Sequence, residues 1–439
     1  MMHVVHLSYS DVSGGAALAA YRLHRAFPDY GVQSTMLVGS RRSEDANVIE
    51  FRALHWAPRS LNRLLFRAAR RMQRRFLRPE NGTFMTHDWT YLGAQIERQL
   101  PPADIYHLHW TADMLDFEML PRLAVRAPVV WTFHDMNAFT GGCHYTQGCE
   151  RFMAECGACP LIPSQDPEDA TYRVIQRKVD ALSKVPESRL TVVAPSRWMA
   201  RETRRSRTFA RFHVELIPNG IDVQAFRPMA RTELRAKYGL AVEDRVILFV
   251  ADMLDDRRKG MHELDQAIAR IAHLPHLKIL TLGETGGERM PGPMYRHLGR
   301  VNSPEKICEA YNLADIFVIP TLQDNFPNTV LEALASGTPI VGFATGGVAD
   351  AIEHGRSGLL APTGDVAGLA AQVERALMDE SLRVEMGKAA RARAIECYSH
   401  ERQANTYAAL YRRMLSQESS VAHGERLRTP YPAASFLRA

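Results

Sequence analysis

Residues 314–342 read ADIFVIPTLQDNFPNTVLEALASGTPIVG and decide the fold class of this chain. Two short β-branched runs, Ile316–Ile319 and Ile340–Phe343, predict buried strands, and a Gly-Thr-Pro breaker stands before the second. The segment between them predicts a helix that begins near Asn328, since Pro327 suits a first helical turn, where its missing N–H costs nothing. A strand, a helix and a strand in this order predict a parallel α/β sheet.

The start of this helix also predicts a ligand site. Its free backbone N–H groups and positive dipole end favour a phosphate. Asp324 in the loop and Glu332 on the helix lie eight positions apart, and such carboxylates can accept hydrogen bonds from hydroxyl groups. A ligand that carries both phosphate and hydroxyls, such as a nucleotide sugar, fits this pattern. The candidate substrate-binding residues around the helix start are Asn325, Phe326, Asn328 and Thr329.

The stretch resembles the E-x7-E signature of the retaining glycosyltransferases of family four, which have the GT-B fold. Asp324 stands at the first glutamate of that signature and is one methylene shorter, whereas Glu332 matches the second. The resemblance implies that Glu332 binds the nucleotide ribose and that Asp324 binds the hydroxyls of the donor sugar. From the residues alone, an ordinary strand, loop and helix with surface acids remains the alternative.

Length and composition fit two soluble domains. The chain has 439 residues, 46% of them hydrophobic and 23% charged, with a net charge of +5, as is typical of a soluble globular protein. A chain of this length is too long to fold around one hydrophobic core. No apolar run reaches the ~18–20 residues that span a bilayer. The first residues lack the basic region and cleavage site of a signal peptide and predict a strand. A cytoplasmic protein is therefore expected.

Strands and helices alternate in two series, which predicts two parallel sheets. The predicted strands are 3–8, 34–38, 105–109, 129–133 and 190–194, then 246–250, 278–282, 297–301, 316–319 and 340–343. Pro218-Asn-Gly-Ile-Asp222 matches the family's motif at the hinge between them. The resemblance therefore implies the GT-B fold, two Rossmann-like domains facing across a cleft. The predicted units are an acceptor domain (1–215), a nucleotide-sugar domain (216–398), a helix returning to the first domain (399–416) and a flexible tail (417–439).

The first domain has two further candidate site features, a glycine pair and a histidine, and both follow predicted strands. Ligands of such sheets bind beyond the carboxyl ends of the strands. Gly14 and Gly15 follow the first strand and let a substrate approach backbone N–H groups closely; a plain tight turn is the alternative. His134 ends the fourth strand, and the resemblance implies that it contacts the donor sugar, so it is a candidate catalytic residue. His107 and His109 also end a strand and could equally be wall residues.

A basic turn follows the first strand of the second domain. Lys259 matches the family's lysine before glycine and can neutralise a diphosphate leaving group. The family's arginine is absent, with Met253 and Leu254 in its region, and Arg257 or Arg258 could substitute; Arg258 is taken as substrate-binding. No Asp-x-Asp pair occurs in the chain, so no catalytic metal is expected. A solvated surface turn is the alternative for these residues.

Four of the six cysteines cluster, as Cys143, Cys149, Cys156 and Cys159. The C-x2-C spacing of the last two suits one zinc ion, which the first two could complete. A cytosolic chain disfavours structural disulfides. A structural zinc ion is expected, with metal-free thiols or redox chemistry as alternatives.

Residues 59–78 predict a basic amphipathic helix. Its apolar positions are Leu61, Leu64, Leu65, Ala68, Ala69, Met72 and Phe76, and its arginines are Arg59, Arg63, Arg67, Arg70, Arg71, Arg74, Arg75 and Arg78, without an acid. Such a helix can bind an anionic membrane surface. A helix packed on its own domain is the alternative. Nucleic-acid binding is not expected, because no base-reading motif accompanies the arginines.

Together these features predict a retaining, metal-independent glycosyltransferase that uses a nucleotide-diphosphate sugar. By analogy with the family, its acceptor is a saccharide, expected to be lipid-linked, in the synthesis of bacterial exopolysaccharide or lipopolysaccharide. Its expected place is the inner face of the cytoplasmic membrane. The alternatives are a GT-B epimerase, a GT-B phosphorylase and a non-catalytic nucleotide-sugar-binding protein.

Overall fold

A computed structural model describes residues 1–54, 56–73, 77, 83–285, 292 and 294–426. Within them the chain forms two parallel sheets. The first has seven strands, β1 (Met2–Ser10), β2 (Val32–Ser40), β3 (Val48–Glu50), β4 (Ile105–Leu108), β5 (Val129–Thr132), β6 (Leu190–Ala194) and β7 (His213–Leu216). The second has six, β8 (Arg245–Met253), β9 (Leu277–Glu284), β10 (Tyr295–His297), β11 (Ile316–Ile319), β12 (Ile340–Phe343) and β13 (Gly358–Ala361).

Helices connect the strands and cover both sheets. In the first half they are α1 (Gly15–Ala26), α2 (Arg59–Gln73), α3 (Gly93–Arg98), α4 (Leu120–Arg126), α5 (Ala170–Ser183) and α6 (Arg197–Arg205). In the second half they are α7 (Arg231–Lys237), α8 (Met261–Arg270), α9 (Pro304–Leu313), α10 (Asn328–Ala335), α11 (Val348–Ala351), α12 (Val366–Met378), α13 (Glu380–Tyr398) and α14 (His400–Arg426). None of the described helices is both long and apolar enough to cross a membrane.

Each sheet follows one doubly wound order. The strands run β3-β2-β1-β4-β5-β6-β7 in the first sheet and β10-β9-β8-β11-β12-β13 in the second, and neighbours pair in parallel. Every residue of β5, β6, β11 and β12 is buried. Strands covered on both faces have such continuous apolar runs, which explains why short β-branched runs predicted them correctly.

The predicted strands coincide with observed ones in nine of ten cases, and 297–301 is the exception. Here β10 ends at His297, because Gly299 adopts φ 77° and breaks the extended backbone. Three strands, β3, β7 and β13, were not predicted, and each lies at a sheet edge. The domain limits remain a prediction; β7 includes Leu216, one residue past the predicted limit at 215.

The last helix, α14, packs on the first sheet. Tyr407, Tyr411 and Met414 are buried in one apolar cluster with residues of α1 and of the first sheet. This placement agrees with the crossing back that the resemblance implies. The helix runs to Arg426, so the segment predicted as a tail begins within it, and residues 427–439 lie outside the described ones.

Candidate active site

The loop between β11 and α10 brings the predicted acid and the predicted basic turn together. The Asp324 carboxylate lies 2.6 Å from Lys259 Nζ and 3.1 Å from an Arg258 guanidinium nitrogen. Lys259 and Arg258 follow β8, and Asp324 follows β11, the strand beside it. The carboxyl ends of two adjacent strands thus place two cations at the Asp324 carboxylate, and Asp256 contacts Arg258 at 3.1 Å from the same turn.

The charges of this cluster hold one another in place. Burial alone would raise the pKa of Asp324, but Lys259 and then Arg258 outweigh it and lower this pKa to about 2. Tyr145, from the first domain, donates its hydroxyl to the other Asp324 oxygen at 3.3 Å. Its ring lies 4.4 Å from the Arg258 guanidinium carbon. The cluster thus joins side chains of both halves around the Asp324 carboxylate.

The structure distinguishes the two arginines that sequence analysis left open. Arg257 points away from the cluster and forms two hydrogen bonds to Glu263, at 2.5 and 2.6 Å. Arg258 instead donates to the Gln323 carbonyl and to Asp324. Its side chain is 24% exposed, against 58% for Arg257. Arg258 is therefore the arginine placed to contact an anion beside Lys259.

Glu332 is paired across the two halves with a residue that sequence analysis missed. Arg22 of α1 donates to one Glu332 oxygen at 2.8 Å, and Tyr311 donates to the other at 3.3 Å. No sequence motif identifies Arg22 as a site residue, because Glu332, which it contacts, lies 310 positions away in the sequence. The two carboxylates of the E-x7-E-like signature thus both face residues of the first domain, Tyr145 and Arg22.

The start of α10 contacts the start of α1, as expected for facing strand ends. Asn328 donates its side-chain N–H to the Gly15 carbonyl at 2.9 Å. Its side-chain oxygen is buried without a hydrogen-bond partner, which is costly unless a ligand donates to it. Gly14 adopts φ 89° at the first position before α1, a conformation that favours glycine. Both glycines therefore border the cleft.

Three other predicted binding residues differ in their surroundings. Asn325 accepts from Ser196 at 2.7 Å and donates to the carbonyls of Phe133 and His134, so its side chain joins the two halves. Phe326 is buried in the core of the second half and can offer a ligand its backbone only. Thr329 is partly exposed in the first turn of α10, where its N–H is free for an anion.

A second glycine pair supports the Asp324 loop and was missed. The Gly347 N–H donates to the Asp324 carbonyl at 3.1 Å. A methyl group at Gly346 would lie 1.9 Å from the Asp324 carbonyl oxygen, and one at Gly347 would lie 1.6 Å from that of Asn325. The pair of glycines two residues after β12 was the signal that could have revealed this packing.

His134 lies at the end of β5, as predicted. Its ring contacts His109, and its carbonyl accepts from Asn325 at 3.2 Å, which puts it at the junction of the two halves. Burial lowers the pKa of His134 to about 4, against the opposing effect of Asp135. The imidazole is therefore neutral near pH 7 and can act as a hydrogen-bond donor or acceptor.

The four clustered cysteines line one small cavity of about 20 Å³ beside this junction. Burial raises the pKa of Cys156 and Cys159, and nearby backbone N–H groups, of Gly141 for Cys156 and of Leu161 and Ile162 for Cys159, only partly oppose this. These N–H groups would stabilise metal-bound thiolates. Among the described residues, no three of the sulfur atoms lie within 4.8 Å of one another, whereas a tetrahedral zinc site needs about 3.8 Å. The donor set fits zinc, and binding would require the loop to contract.

Helix α2 presents its apolar stripe to solvent. Leu64 and Met72 are 62% and 53% exposed, and Leu61, Leu65 and Ala68 are exposed beside them. The side facing the domain carries Phe66, buried in the core, and Arg70, which pairs with Asp113 and stacks on Tyr9. The alternative of an apolar stripe packed on its own domain is therefore wrong for these positions. The predicted residues Arg74, Arg75, Phe76 and Arg78 lie outside the described ones.

Two family models match the chain, one on each half. The model described as Glycosyltransferase Family 4 matches residues 13–225, and that described as Glycosyl transferases group 1 matches residues 244–379. The Anabaena protein HepE, solved in complex with UDP and glucose, has the same fold, with a TM-score of 0.63 and 16% identity. The alignment covers 93% of this chain and 99% of that one. The predicted GT-B fold is confirmed, and these matches support a glycosyltransferase.

Curated relatives match over shorter regions. The N-acetyl-alpha-D-glucosaminyl L-malate synthase of Bacillus anthracis is 25% identical over 213 residues, which are 47% of this chain and 55% of the relative. The D-inositol 3-phosphate glycosyltransferase of Pseudarthrobacter chlorophenolicus is 31% identical over 195 residues, 41% and 46% of the two chains. This chain thus spans about half the length of the curated relatives that it matches.

Proposed function

We propose that this GT-B protein is a glycosyltransferase that takes a sugar from a nucleotide-diphosphate donor bound between its two sheets. The observation that carries this proposal is the cluster of Lys259, Arg258 and Asp324 beside the N-terminus of α10. It offers two cations to a diphosphate, a carboxylate to sugar hydroxyls and free N–H groups to a phosphate. The UDP and glucose bound by HepE, and the two matching family models, support the same donor class.

In this proposal the donor diphosphate takes the place of Asp324 on the two cations. Lys259 and Arg258 stabilise the charge that develops on the diphosphate as the bond to the sugar breaks, and this is the main electrostatic term. Asp324, freed from them, accepts hydrogen bonds from the sugar. Glu332 holds the ribose, and His134 with the Gly14-Gly15 turn completes the site from the first half. No catalytic metal is needed for these steps, and retention of configuration is expected from the resemblance.

A saccharide acceptor has a suitable place next to this cluster. A pocket of about 500 Å³ opens beside Gln147, whose backbone N–H donates to Gln323, the neighbour of Asp324. Its described lining combines polar residues, among them Thr83, Glu150 and Arg151, with the apolar Pro160 and Leu161, and the polar side suits a hydroxyl-rich molecule. We propose that the acceptor enters here, and that it is a lipid-linked saccharide of bacterial surface polysaccharide synthesis. The small acceptors in the names of the curated relatives, malate and inositol phosphate, are the competing class.

A transfer assay tests this function against its rivals. UDP-, GDP- and ADP-sugars are incubated with lipid-linked oligosaccharides or with small acceptors, without added metal, and products are identified by mass spectrometry and anomeric NMR. We expect one donor to yield a glycosylated acceptor with retained configuration. A new nucleotide sugar formed from donor alone indicates an epimerase. Phosphate-dependent release of a sugar phosphate indicates a phosphorylase, and donor binding without any turnover indicates a binding protein.

We further propose that α2 attaches the protein to an anionic membrane surface at the cytoplasmic side. The exposed stripe around Leu64 and the exposed Arg67 and Arg71 beside it give one helix an apolar and a basic face that are both accessible. Each arginine near such a surface contributes about 1 kcal/mol, and the apolar side chains add their burial among the lipid headgroups. A lipid-linked acceptor would then be met at the membrane.

Flotation with vesicles checks this membrane proposal. The wild-type protein should float with vesicles of phosphatidylcholine and phosphatidylglycerol, and much less with phosphatidylcholine alone. A variant with Leu61→Ser, Leu64→Ser and Leu65→Ser should stay at the bottom of the gradient, because these side chains are exposed and their loss leaves the core intact. The control replaces three exposed apolar residues of the other half, Val242, Met378 and Val384, by serine, and should float. Equal flotation of both variants rejects the proposal.

We also propose that Cys143, Cys149, Cys156 and Cys159 bind one structural zinc ion. The purified protein should contain about one equivalent of zinc by elemental analysis. Cys159→Ser should lose it, whereas Cys397→Ser, a matched change of a free cysteine outside the cluster, should retain it. Protein that is folded and active without bound metal would contradict this proposal. The four cysteines would then be metal-free thiols.

A further inference from the structure

Three buried histidines next to His134 have no part in the proposed reaction. His6 lies on β1, His107 on β4 and His109 directly after β4, and their exposed fractions are 0%, 0% and 3%. His6 and His107 are register partners on adjacent strands. Buried histidines are uncommon enough that three in one layer, next to the cleft, require an explanation.

The rings of His6, His109 and His134 form a hydrogen-bonded chain that ends at the cleft. His6 Nδ1 lies 2.9 Å from His109 Nε2, and His109 Nδ1 lies 3.2 Å from His134 Nε2. The remaining nitrogen of His134, Nδ1, has no hydrogen-bond partner among the described residues and is not buried. At the inner end, Nε2 of His6 is buried without any partner.

A metal ion does not explain this arrangement. His6, His107 and His109 offer ligand atoms that lie within 4.8 Å of one another. Five of their six ring nitrogens are nevertheless hydrogen-bonded, since His107 contacts Tyr411 at 2.6 Å and Thr132 at 2.8 Å. The His107 and His109 rings are also packed with centroids 4.0 Å apart. A metal would have to break most of these bonds.

The direction of the protons in the chain follows from the unpaired nitrogen. Burial lowers the pKa of His6, His109 and His134, so each neutral ring carries one proton, and both bonds can form only if all donate in the same direction. If the protons point inward, an N–H of His6 is buried without an acceptor. If the protons point outward, the buried Nε2 of His6 carries a lone pair without a donor, and no buried N–H group of the chain is left unpaired. Orphaned buried N–H groups are the rarer of the two, which favours the outward direction.

We propose that His109 and His6 are positioning residues that hold His134 in the tautomer with its proton on Nδ1, so that His134 presents an N–H donor to the cleft. His6 donates from Nδ1 to His109, and His109 donates from Nδ1 to Nε2 of His134. Resting on the proposed function, this N–H would donate to a hydroxyl oxygen of the donor sugar. The chain of histidines therefore fixes His134 as the hydrogen-bond donor in its contact with the sugar hydroxyl.

Long-range ¹H–¹⁵N correlation spectra of histidine-labelled protein test this tautomer without substrate. The His134 signal is assigned from its loss in His134→Gln. We expect it to show a protonated Nδ1 and an unprotonated Nε2 in the wild type. In His109→Phe the proton should move to Nε2, the form that free histidine prefers. His24 is a buried histidine that bonds to Ser34 and is not part of the hydrogen-bonded chain of histidines, so His24→Gln should leave the His134 signal unchanged.

A second variant and a rate measurement complete the test. If His109→Phe does not fold, His6→Phe keeps an aromatic ring against Phe27 and leaves His109 free to reverse. In either folded variant, kcat should fall by roughly ten-fold, the value of about one hydrogen bond, with little change in KM. A proton on Nε2 of His134 in the wild type, or zinc-dependent shifts of these signals, overturns the proposal. If His134 shows a protonated Nδ1 but the protein has no transferase activity, the proposed function is rejected and the proposed chain of histidines still stands.

Discussion

Arg258→Ala should lower kcat/KM by about 10²–10³-fold, the usual cost of removing one group that stabilises charge in a transition state. Arg258 and Lys259 are the two cations placed at the Asp324 carboxylate, and the diphosphate gains its negative charge as the sugar leaves. Lys259→Ala should cause a loss of similar size. Steady-state kinetics with the donor at several concentrations would measure both.

Arg257→Ala is the matched control for this prediction. It removes the same side chain one position earlier, but Arg257 bonds to Glu263 and not to Asp324, so kcat/KM should stay within about two-fold. Stability should fall instead, because Glu263, with a side chain that is 8% exposed, loses its partner. The double variant of Arg258 and Lys259 should lose less than the product of the two single losses, since both act on one group. Equal losses in Arg257→Ala and Arg258→Ala would contradict this assignment.

Gly347→Ala should destabilise the protein by about 3 kcal/mol, at the upper end for overpacking, and weaken donor binding. The backbone of Gly347 has φ −80°, which alanine adopts freely, so the cost comes from steric overlap. The added methyl group would lie 1.6 Å from the Asn325 carbonyl oxygen and 2.8 Å from Cβ of Ser196. Relief requires the Asp324 loop to move. Urea unfolding and calorimetric titration of the donor would measure the two effects.

Gly364→Ala provides the opposite case. Its φ is 81°, but nothing lies within 4 Å of the added methyl group, so it carries backbone strain of about 1–2 kcal/mol without a clash. It lies in the turn between β13 and α12, where the added methyl group touches nothing, and should leave donor affinity unchanged. If Gly347→Ala proves as stable as the wild type with normal donor affinity, the close packing of this loop is not required.

Short motifs carried much of what could be predicted. Buried parallel strands have continuous β-branched runs, so β11 and β12 could be located to the residue. The lysine before glycine and the acid of the loop could be placed because each follows a strand of one sheet, and strand ends converge. Edge strands such as β3 and β13 carry weaker signals, since a short edge needs less burial.

Contacts across the two halves could not be predicted. Arg22 and Glu332 are 310 positions apart, and neither pattern nor spacing links them. Choosing between Arg257 and Arg258 depended on which way a short turn points its side chains, and this turn ends at Gly260 with φ 83°. Such details follow from tertiary packing, which local sequence does not encode.

Helix α2 shows a different limit. Its periodicity predicted the helix correctly, but an apolar stripe is normally the buried one. Here Asn62 holds the helix through three backbone carbonyls, those of Leu54, Ala57 and Pro58, and Arg70 pairs with Asp113. Polar contacts therefore turn the apolar stripe outward, which periodicity alone cannot show.

The most direct test of the donor site is a thermal-shift panel of UDP-, GDP- and ADP-sugars on the wild type and on Glu332→Gln. The glutamine keeps the size of the side chain and can still accept from Arg22, so the fold should survive, but the carboxylate for the ribose is lost. A donor at about a hundred times its dissociation constant should stabilise the wild type by roughly 2.7 kcal/mol. We predict this shift for one nucleotide, and its loss in Glu332→Gln; no shift with any donor, or equal shifts in both proteins, would contradict a nucleotide sugar bound between the two sheets.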